Sequence, residues 1–405
     1  MKIAIIGDRG IPARYSGFST LVEEISVRLV ADHGMDVTVY GRKHYFDEHP
    51  ATYKNVNIIW LPAPGGKSFE SITHSNLSIW HASLQDFDLV FVVDPGNGPF
   101  CLPLKLRGIP VIYHTDGLGW KRTKWSPAQR RYYKWSEWVT TKLATWLVTD
   151  SYAMIHYYQA TYQAECTFIP YGSVVGDPPD SSILDELQLT DKGYYLLVAR
   201  QEPENNTLIL IKEYKKSKAT RPLIVVGSVP YASDYSRSIS AEADARVRIV
   251  GSIFESSKLN GLYKHCYTYL HGHEVGGTNP SLLRAMGSGA PCLTLGVDFN
   301  TEVVGAEQPY FTKEPGNLAA ILNELDANPE KVAKMSALTL KRSRNVYRWD
   351  AVASAYGDMF RRVFANHTSG RKTDTLNGMC PYNPEAFSAT FEDWAPLHQS
   401  VPADS

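Results

Sequence analysis

The sequence predicts an α/β protein with two doubly wound domains, each built on a mostly parallel sheet. At 405 residues the chain is long for a single core and fits two domains of ordinary size. Short apolar runs alternate with helical patterns through the first half, and a second alternating series follows a turn-rich stretch. Because ligands of such sheets bind beyond the carboxyl ends of the strands, a cleft between the two domains is the expected site.

The first domain is predicted over residues 1–172. A buried strand over 2–6 leads through the loop GDRGIPARYSG to a helix with its apolar residues on one face and Gly34 at its end. Four further strand-like runs follow: VTVY near Val37, NIIWL near Ile58, DLVFVVD near Val90 and PVIYH near Val111.

A turn-rich stretch over about 171–192 is predicted to link this domain to a second one over residues 190–345. In the second domain we expect a helix over about 204–218 and four strands: 194–200, 223–228, 246–252 and 266–272. A last amphipathic helix over 348–364 is predicted to complete the first domain. The remainder, 365–405, has no periodicity and is expected to be loosely ordered.

Charge and cysteine usage narrow the function classes. The 41 basic and 42 acidic side chains give a net charge of -1, so nucleic acid is not an expected partner. The five cysteines are scattered without metal-ligand spacing, which predicts free buried thiols and no zinc site. Neither a signal peptide nor a membrane-spanning run is visible, so a soluble cytoplasmic protein is expected.

The most informative motif is GGTNPSLLRAM, which begins at Gly276 and reads as the start of a helix that holds an anion. Gly276 and Gly277 allow the backbone to approach a ligand closely. Thr278 or Asn279 can cap the helix, and Pro280 suits its first position, so free amide groups point at one spot with the positive end of the helix dipole. An ordinary capped surface helix is the alternative, but it does not need two glycines before two capping residues.

Five motifs occur in an order that resembles a known family: GDRGIPARYSGF, DGLGWKRTKW, RQEPENN, HGHEVGGTNPSLLRAM and DFNTEV. Over residues 1–364 they resemble the family-4 glycosyltransferases of GT-B fold, and in particular a bacterial rhamnosyltransferase-like branch. The resemblance implies transfer of a sugar, with dTDP-L-rhamnose as the favoured donor, to a glycan or lipid-linked acceptor. It also implies that the reaction needs no metal or other cofactor and retains the anomeric configuration.

In this interpretation the second domain binds the nucleotide sugar. An enzyme without a metal must supply fixed hydrogen-bond donors to the leaving diphosphate. The backbone amides of Gly277, Thr278 and Asn279 and the guanidinium of Arg200, at the end of the strand YYLLVAR, are the expected donors. An ordinary surface salt bridge is the alternative for Arg200. Base recognition is expected through backbone groups near Ser252 and Ile253.

Four positions depart from the wider family. Asn205, expected among the donor-binding residues, stands where most of the superfamily has a lysine, although the rhamnosyltransferase-like branch also has an asparagine pair there. Arg284, Ser19 and Gly119 stand where the family has carboxylates. Arg284 either adds positive charge beside the nucleotide or is an exposed helical arginine.

The first domain is expected to hold the acceptor. His114 and Asp116 follow the strand PVIY and are predicted to orient the acceptor and stabilise positive charge at the anomeric carbon, without a covalent intermediate. A structural histidine is the alternative for His114. Gly10, Gly17 and Phe18 belong to a loop that the family closes against the donor.

Two other functions are alternatives to a glycosyltransferase. The glycines of the first loop do not form GxGxxG, and no acid ends the second strand, so a nicotinamide-dependent oxidoreductase is a weak alternative. A catalytically decayed nucleotide-sugar-binding protein also stays open.

One segment, residues 120–138, is dense in cations and aromatic rings and includes Trp120, Lys121, Arg122, Lys124 and Trp125. Ser126 and Pro127 predict a helix start within it. The composition suits an acceptor-binding face that contacts either a lipid-linked diphosphate or an anionic membrane. In the second case the protein would be a peripheral membrane protein. Buried tryptophans with solvated charges, and less favourably nucleic acid, are the alternatives.

Overall fold

The computed structural model describes residues 1–13, 17–64, 66–115, 117–121, 125–173, 178–229, 233–275 and 277–371, without the side chains of 66–69 and 95. The chain divides into two compact units. The first contains Met1–Tyr171, Val275–Gly277 and the last helix, and the second contains Gly172–Glu274 and Thr278–Arg348.

The first unit has one eight-stranded sheet. Its strands are β1 (Lys2–Ile6), β2 (Asp36–Arg42), β3 (Thr52–Tyr53), β4 (Val56–Leu61), β5 (Leu89–Val93), β6 (Val111–His114), β7 (Trp146–Thr149) and β8 (Cys166–Phe168). The order across the sheet is β3-β4-β2-β1-β5-β6-β7-β8, and only the β3–β4 pair is antiparallel. The strand order reverses between β1 and β5, which makes the carboxyl ends of these two strands the switch point of the sheet.

Helices connect the parallel strands. They are α1 (Gly17–Ala31), α2 (Gly66–Ser83), α3 (Leu102–Leu106), α4 (Pro127–Leu143) and α5 (Tyr152–Tyr162). Side chains of α2, α3 and α5 join one buried cluster against the sheet, with Leu143 of α4 at its margin. The start of α4 is fixed by a capping box in which Ser126 and Gln129 exchange side-chain and backbone hydrogen bonds, as the sequence predicts.

The second unit has a six-stranded parallel sheet. Its strands are β9 (Tyr195–Val198), β10 (Leu223–Val226), β11 (Val247–Gly251), β12 (Thr268–His271), β13 (Cys292–Leu295) and β14 (Tyr310–Phe311). The order is β11-β10-β9-β12-β13-β14, so the switch point lies between β9 and β12.

The helices of this unit are α6 (Ser182–Glu186), α7 (Thr207–Lys216), α8 (Asp234–Ser240), α9 (Ser256–His265), α10 (Pro280–Gly287), α11 (Asp298–Val304), α12 (Asn317–Ala327) and α13 (Pro329–Val346). The core cluster of the unit combines residues of β9–β14 with the inner faces of α7, α12 and α13. The final helix, α14 (Trp349–Thr368), belongs to the first unit and packs against α1.

Several predicted boundaries differ from the structure. The helix predicted over 204–218 begins with a 3-10 turn over Pro203–Asn205 and continues as α7, and the predicted linker contains α6. Helix α1 ends at Ala31, and Gly34 follows with a positive φ of 62°. The last helix reaches Thr368, so the start of the predicted tail is helical, and 372–405 lies outside the described residues.

The four described cysteines are buried free thiols: Cys101, Cys166, Cys266 and Cys292. Cys380 lies outside the described residues. Over the part of the chain that the structure describes, no helix is both long and apolar enough to cross a bilayer.

Candidate functional site

The donor-side candidate lies at the switch point of the second unit. Strands β9 and β12 are parallel neighbours, with Leu197 paired to Leu270, so the loops that follow them leave the same edge of the sheet. Arg200 is exposed in the loop after β9. The loop after β12 runs from Gly272 to the cap of α10.

Hydrogen bonds tie these two loops together. The Asn206 side chain donates to the carbonyl of Gly272 at 2.9 Å, and the Glu274 amide donates to the carbonyl of Glu204 at 3.1 Å. The buried Asn205 side chain donates to the carbonyl of Arg200 at 2.8 Å. Asn205 therefore supports the backbone that carries Arg200, a positioning role that the sequence comparison with a superfamily lysine does not reveal.

The start of α10 is built as the motif predicts. Asn279 is the N-cap, and its side-chain oxygen accepts from the Ser281 amide at 2.9 Å, while Pro280 occupies the first helical position. The backbone amides of Gly277 and Asn279 make no hydrogen bond to any other described residue. Thr278 is buried, and Gly276 lies outside the described residues. The residues just before the helix therefore keep amide donors for an anion, whereas the amides of Ser281 and Leu282 in the first turn donate to Asn279.

Two histidines of the HGHE motif lie beside this helix start. The rings of His271 and His273 are stacked with centroids 4.4 Å apart and planes 14° apart. Burial and, to a smaller extent, the charge of Arg200 lower the pKa of His273 to about 3. The pKa of the fully buried His271 lies well below its usual value because of burial and the neighbouring His273. Both rings are therefore neutral at physiological pH.

A hydrogen-bonded chain connects these rings to the helix cap. Ser281 Oγ donates to Asn279 Oδ1 at 2.7 Å, and the Tyr269 hydroxyl lies 3.2 Å from Ser281 Oγ and 2.9 Å from His271 Nδ1. The Ser281 hydroxyl hydrogen is directed at Asn279. The series of hydrogen bonds is then continuous if the Tyr269 hydroxyl donates to Ser281 Oγ and His271 Nδ1 donates to the Tyr269 hydroxyl. The cap and the stacked histidines are thus one connected polar unit.

Ser252 and Ile253, the residues expected near the base, directly follow β11 and are half-buried. The hydroxyl oxygen of Ser252 lies 2.6 Å from that of Ser228, which follows β10. Both residues leave the same carboxyl edge of the sheet as Arg200, because β9, β10 and β11 are parallel.

Arg284 joins α10 to α9. Its Nε donates to Asn260 Oδ1 at 2.6 Å, and its Nη2 donates to the carbonyl and the hydroxyl of Ser256 at 2.8 and 2.6 Å. The interpretation as an exposed helical arginine is wrong, because the side chain is half-buried and three of its five N–H groups are used by α9.

In the first unit, Asp8 lies at the switch point, two residues beyond β1. This buried carboxylate accepts from the Ser19 hydroxyl at 2.8 Å and from the Gly10 amide at 3.2 Å. Burial raises the pKa of Asp8, and these hydrogen bonds and the charge of Arg42 oppose that rise. Ser19, where the family pattern has a glutamate, thus contacts a carboxylate supplied by another element.

His114 is the last residue of β6, next to β5, and is fully buried. The Phe18 ring meets it edge to face at 5.3 Å, and the Tyr171 ring lies at 5.9 Å. No described residue gives either ring nitrogen a hydrogen bond of ordinary geometry. Burial lowers the pKa of His114 to about 3, so a neutral imidazole with open hydrogen-bonding capacity ends this strand.

Two of the remaining residues named from the sequence, Gly17 and Gly119, are described by the structure, and three others are not. Gly17 begins α1 and is half-buried, and a Cβ at Gly119 would meet no described atom within 4 Å. Asp116, Arg122 and Lys124 lie outside the described residues.

The aromatic segment is only partly buried. The ammonium groups of Lys134 and Lys121 lie 4.2 and 5.5 Å from the ring centroid of Trp120, and Trp125 packs against Tyr133 at 5.3 Å. Trp135 and Trp138, farther along α4, are instead half exposed, so the alternative of buried tryptophans is wrong for these two.

Asp8 and His273 are site residues that the sequence patterns did not identify. Asp8 is the acid of the GDRG loop and His273 the second histidine of HGHE, so both lie within quoted motifs. Their position after a parallel strand was the available signal, but their burial and partners depend on packing.

Comparisons with known proteins agree with this architecture. Residues 1–174 match a family model described as a domain of unknown function, DUF1972. No curated protein matches the chain. A sucrose-phosphate synthase from Thermosynechococcus elongatus superimposes with a TM-score of 0.76 at 20% identity, over 90% of this chain and 99% of that one.

Two further solved structures are similar. HepE of Anabaena, in complex with UDP and glucose, has a TM-score of 0.69 at 15% identity over 89% of this chain and 99% of its own. WaaG, a glycosyltransferase involved in lipopolysaccharide biosynthesis, has a TM-score of 0.66 at 15% identity over the same shares. The chain has the GT-B fold. The predicted fold is thereby confirmed, whereas membership of family 4 and of its rhamnosyltransferase-like branch stays a prediction.

Proposed function

We propose that this GT-B protein transfers a sugar from a nucleoside diphosphate donor to a glycan or lipid-linked acceptor, without a metal and with retention of configuration. The observation that carries the proposal is the set of donors at the β9–β12 edge. There Arg200 and the amides that precede α10 lie in two loops that leave one edge of the sheet and are hydrogen-bonded to each other.

These groups suit a leaving diphosphate. As the bond between the anomeric carbon and the phosphate oxygen breaks, negative charge grows on the diphosphate. Arg200 offers a forked charged contact, and the amides of Gly277 and Asn279 offer fixed neutral donors. His273 adds a ring nitrogen, and because the ring is neutral it serves as a hydrogen-bond donor and not as a second cation.

The first unit supplies the acceptor side. The acceptor hydroxyl oxygen bonds to the anomeric carbon on the face from which the diphosphate leaves, and a phosphate oxygen takes the hydroxyl proton. His114, with both ring nitrogens open, is suited to orient a sugar hydroxyl. Asp8 is proposed as a further acceptor for hydroxyl groups at this edge. Asp116 is assigned to the same side on the motif resemblance.

The resemblance favours dTDP-L-rhamnose as the donor and cell-surface polysaccharide synthesis as the pathway. The solved HepE structures contain UDP, UDP and glucose, or UDP-glucose, which supports a nucleotide-sugar donor for this fold. A cytoplasmic protein that contacts the inner face of the cell membrane is part of the proposal, because a lipid-linked acceptor lies there.

A panel of nucleotide sugars tests the proposal. Thermal shift identifies the donors that stabilise the protein, since a ligand of the folded state raises its melting temperature by mass action. Release of free nucleoside diphosphate from those donors then measures turnover in the presence of glycan acceptors. Arg200→Ala is expected to lose about a hundredfold or more in turnover, and Arg237→Ala, an exposed arginine of α8, serves as the matched control. Stabilisation without turnover by any donor would instead support a decayed binding protein.

A further inference from the structure

The exposed apolar side chains of the first unit are concentrated on three helices. Among the described residues ten large hydrophobic side chains are exposed, and seven of them belong to α2, α3, α4 or the residue directly after α2. Single exposed hydrophobic residues are ordinary on a protein surface, but a concentration of this kind marks a binding surface.

Helix α2 shows the feature most clearly, because it has large apolar side chains on its outer side as well as on its inner side. Leu77, Trp80 and the following Leu84 are exposed at helical spacing, with Trp80 at 56%. The buried side contributes Ile79 to the core and also contains polar side chains such as His74. A helix that also presents leucine and tryptophan outward is not optimised for water on its outer face.

The neighbouring helices extend this apolar face. Leu102 and Leu106 of α3 are exposed, and so are Trp135 and Trp138 of α4, at 50% each. Helix α3 packs against α2, and the Lys105 ammonium of α3 donates to the carbonyl of Lys142 near the end of α4 at 2.6 Å. The three helices also cover the same side of the sheet, so their outer faces adjoin.

Positive charge accompanies the apolar residues of α3 and α4. The exposed charged side chains of α3 and α4, with the turn after α3, are all basic: Lys105, Arg107, Arg130, Arg131, Lys134 and Lys142. Glu137, the carboxylate of α4, is buried and accepts from the hydroxyls of Tyr157 and Tyr162. Asp86, just after α2, is an exposed acid close in sequence to this face. The cationic face contrasts with a whole chain of net charge -1.

We infer that the outer faces of α2, α3 and α4 form a docking surface for an anionic lipid bilayer. Tryptophan and leucine enter the interfacial layer of a membrane, and lysine and arginine bind its anionic headgroups. This charge complementarity selects a lipid surface over a neutral protein partner. The inference rests on the membrane contact in the proposed function, but it places that contact on Trp80, Trp135 and Trp138 instead of on Trp120 and Trp125.

The test uses the full chain and vesicles of phosphatidylcholine with an equal amount of phosphatidylglycerol. Co-sedimentation at low salt is expected for the unmodified protein, with binding lost on pure phosphatidylcholine and weakened at high salt. The triple variant Trp80→Gln, Trp135→Gln, Trp138→Gln is expected to bind at least about tenfold more weakly. Phe254→Gln, an exposed aromatic of the second unit, is the control and should bind normally.

Measurements of folding and of donor binding distinguish a misfolded variant from one that has lost only its membrane contact. An unchanged melting temperature and an unchanged shift with nucleoside diphosphate show that the triple variant is folded and keeps its donor site. Quenching of tryptophan emission by brominated lipid should fall in the same variant. No binding of the unmodified protein to anionic vesicles, or equal binding by the triple variant, would overturn the inference. A dimer that the triple variant converts to a monomer, with vesicle binding unchanged, would assign the face to self-association and also overturn it.

Discussion

The Ser19 hydroxyl donates to the Asp8 carboxylate across 2.8 Å, so a carboxylate from the β1 loop meets α1 at the position where the family pattern has a glutamate. A carboxyl group thus lies at this place although the glutamate of the resembled pattern is absent.

Asp8→Asn tests the role of this carboxylate. The amide is similar in shape and can still accept from Ser19, so the fold should persist. We expect turnover to fall about tenfold or more with a raised KM for the acceptor, while affinity for the nucleoside diphosphate is unchanged. Steady-state kinetics with varied acceptor, beside calorimetric titration of the nucleotide, makes the measurement. The double variant Asp8→Asn, Ser19→Glu should regain activity, and failure of both variants to alter acceptor kinetics would remove Asp8 from the site.

The buried histidines predict a pH dependence of stability. Burial lowers the pKa of His114 to about 3 and that of His74 to about 4, below the usual 6.5. The neutral forms stabilise the folded state fully above pH 6.5, and this contribution is lost as the pH falls from 6.5 towards these values. Each group is expected to contribute a slope of about 1.4 kcal/mol per pH unit in that window.

Urea unfolding at a series of pH values measures this slope. His114→Phe should lose its part of the slope between about pH 6 and 4, because phenylalanine binds no proton. His49→Asn replaces an exposed histidine and should leave the slope as it is. Equal slopes for His114→Phe and the unmodified protein would mean that His114 is not a buried neutral imidazole.

Arg284 predicts a structural effect. Removing its side chain in Arg284→Ala deprives Ser256 and Asn260 of their hydrogen-bond donor and separates α9 from α10. We expect the free energy of unfolding to fall by roughly 1 to 3 kcal/mol, measured by denaturant titration. Arg237→Ala is the control for loss of an exposed arginine. If Arg284→Ala has normal stability but binds the nucleotide more weakly, Arg284 does not stabilise the packing of α9 on α10, and a direct contact with the nucleotide is supported.

His273 predicts a graded effect on nucleotide binding. Alanine removes the proposed donor to the diphosphate, and we expect affinity to fall about tenfold, since a hydrogen bond to a charged group is worth roughly 1.5 kcal/mol. Asparagine places an amide near the position of Nδ1, so His273→Asn should bind more tightly than His273→Ala. Calorimetric titration with dTDP and UDP compares the two, and equal affinities for alanine, asparagine and histidine would exclude the contact.

The longer elements were predictable because their patterns are local. Lys2–Ile6 and Leu89–Val93 are continuous apolar runs next to turn residues, and the cap of α10 follows from Asn279 and Pro280. The strands that were not predicted are short or have no turn residues beside them: Thr52–Tyr53, Trp146–Thr149, Cys166–Phe168, Cys292–Leu295 and Tyr310–Phe311. Their strand state depends on pairing with distant neighbours, which a local pattern does not contain.

The site was predictable to a similar extent. The motifs located Arg200 and Thr278 in loops that follow strands, and His114 at the end of a strand. The bonds of Asp8 to Ser19 and of Arg284 to α9 span 11 and at least 24 positions in the chain, and only the folded structure brings these groups together.

Calorimetric titration of nucleoside diphosphate into the unmodified protein, Arg200→Ala and Arg237→Ala tests the central claim most directly. We expect dTDP or UDP to bind the unmodified protein and Arg237→Ala equally well, and to bind Arg200→Ala at least about tenfold more weakly because a charged contact to the diphosphate is lost. Equal affinity for all three proteins would contradict the assignment of the diphosphate to the β9–β12 edge.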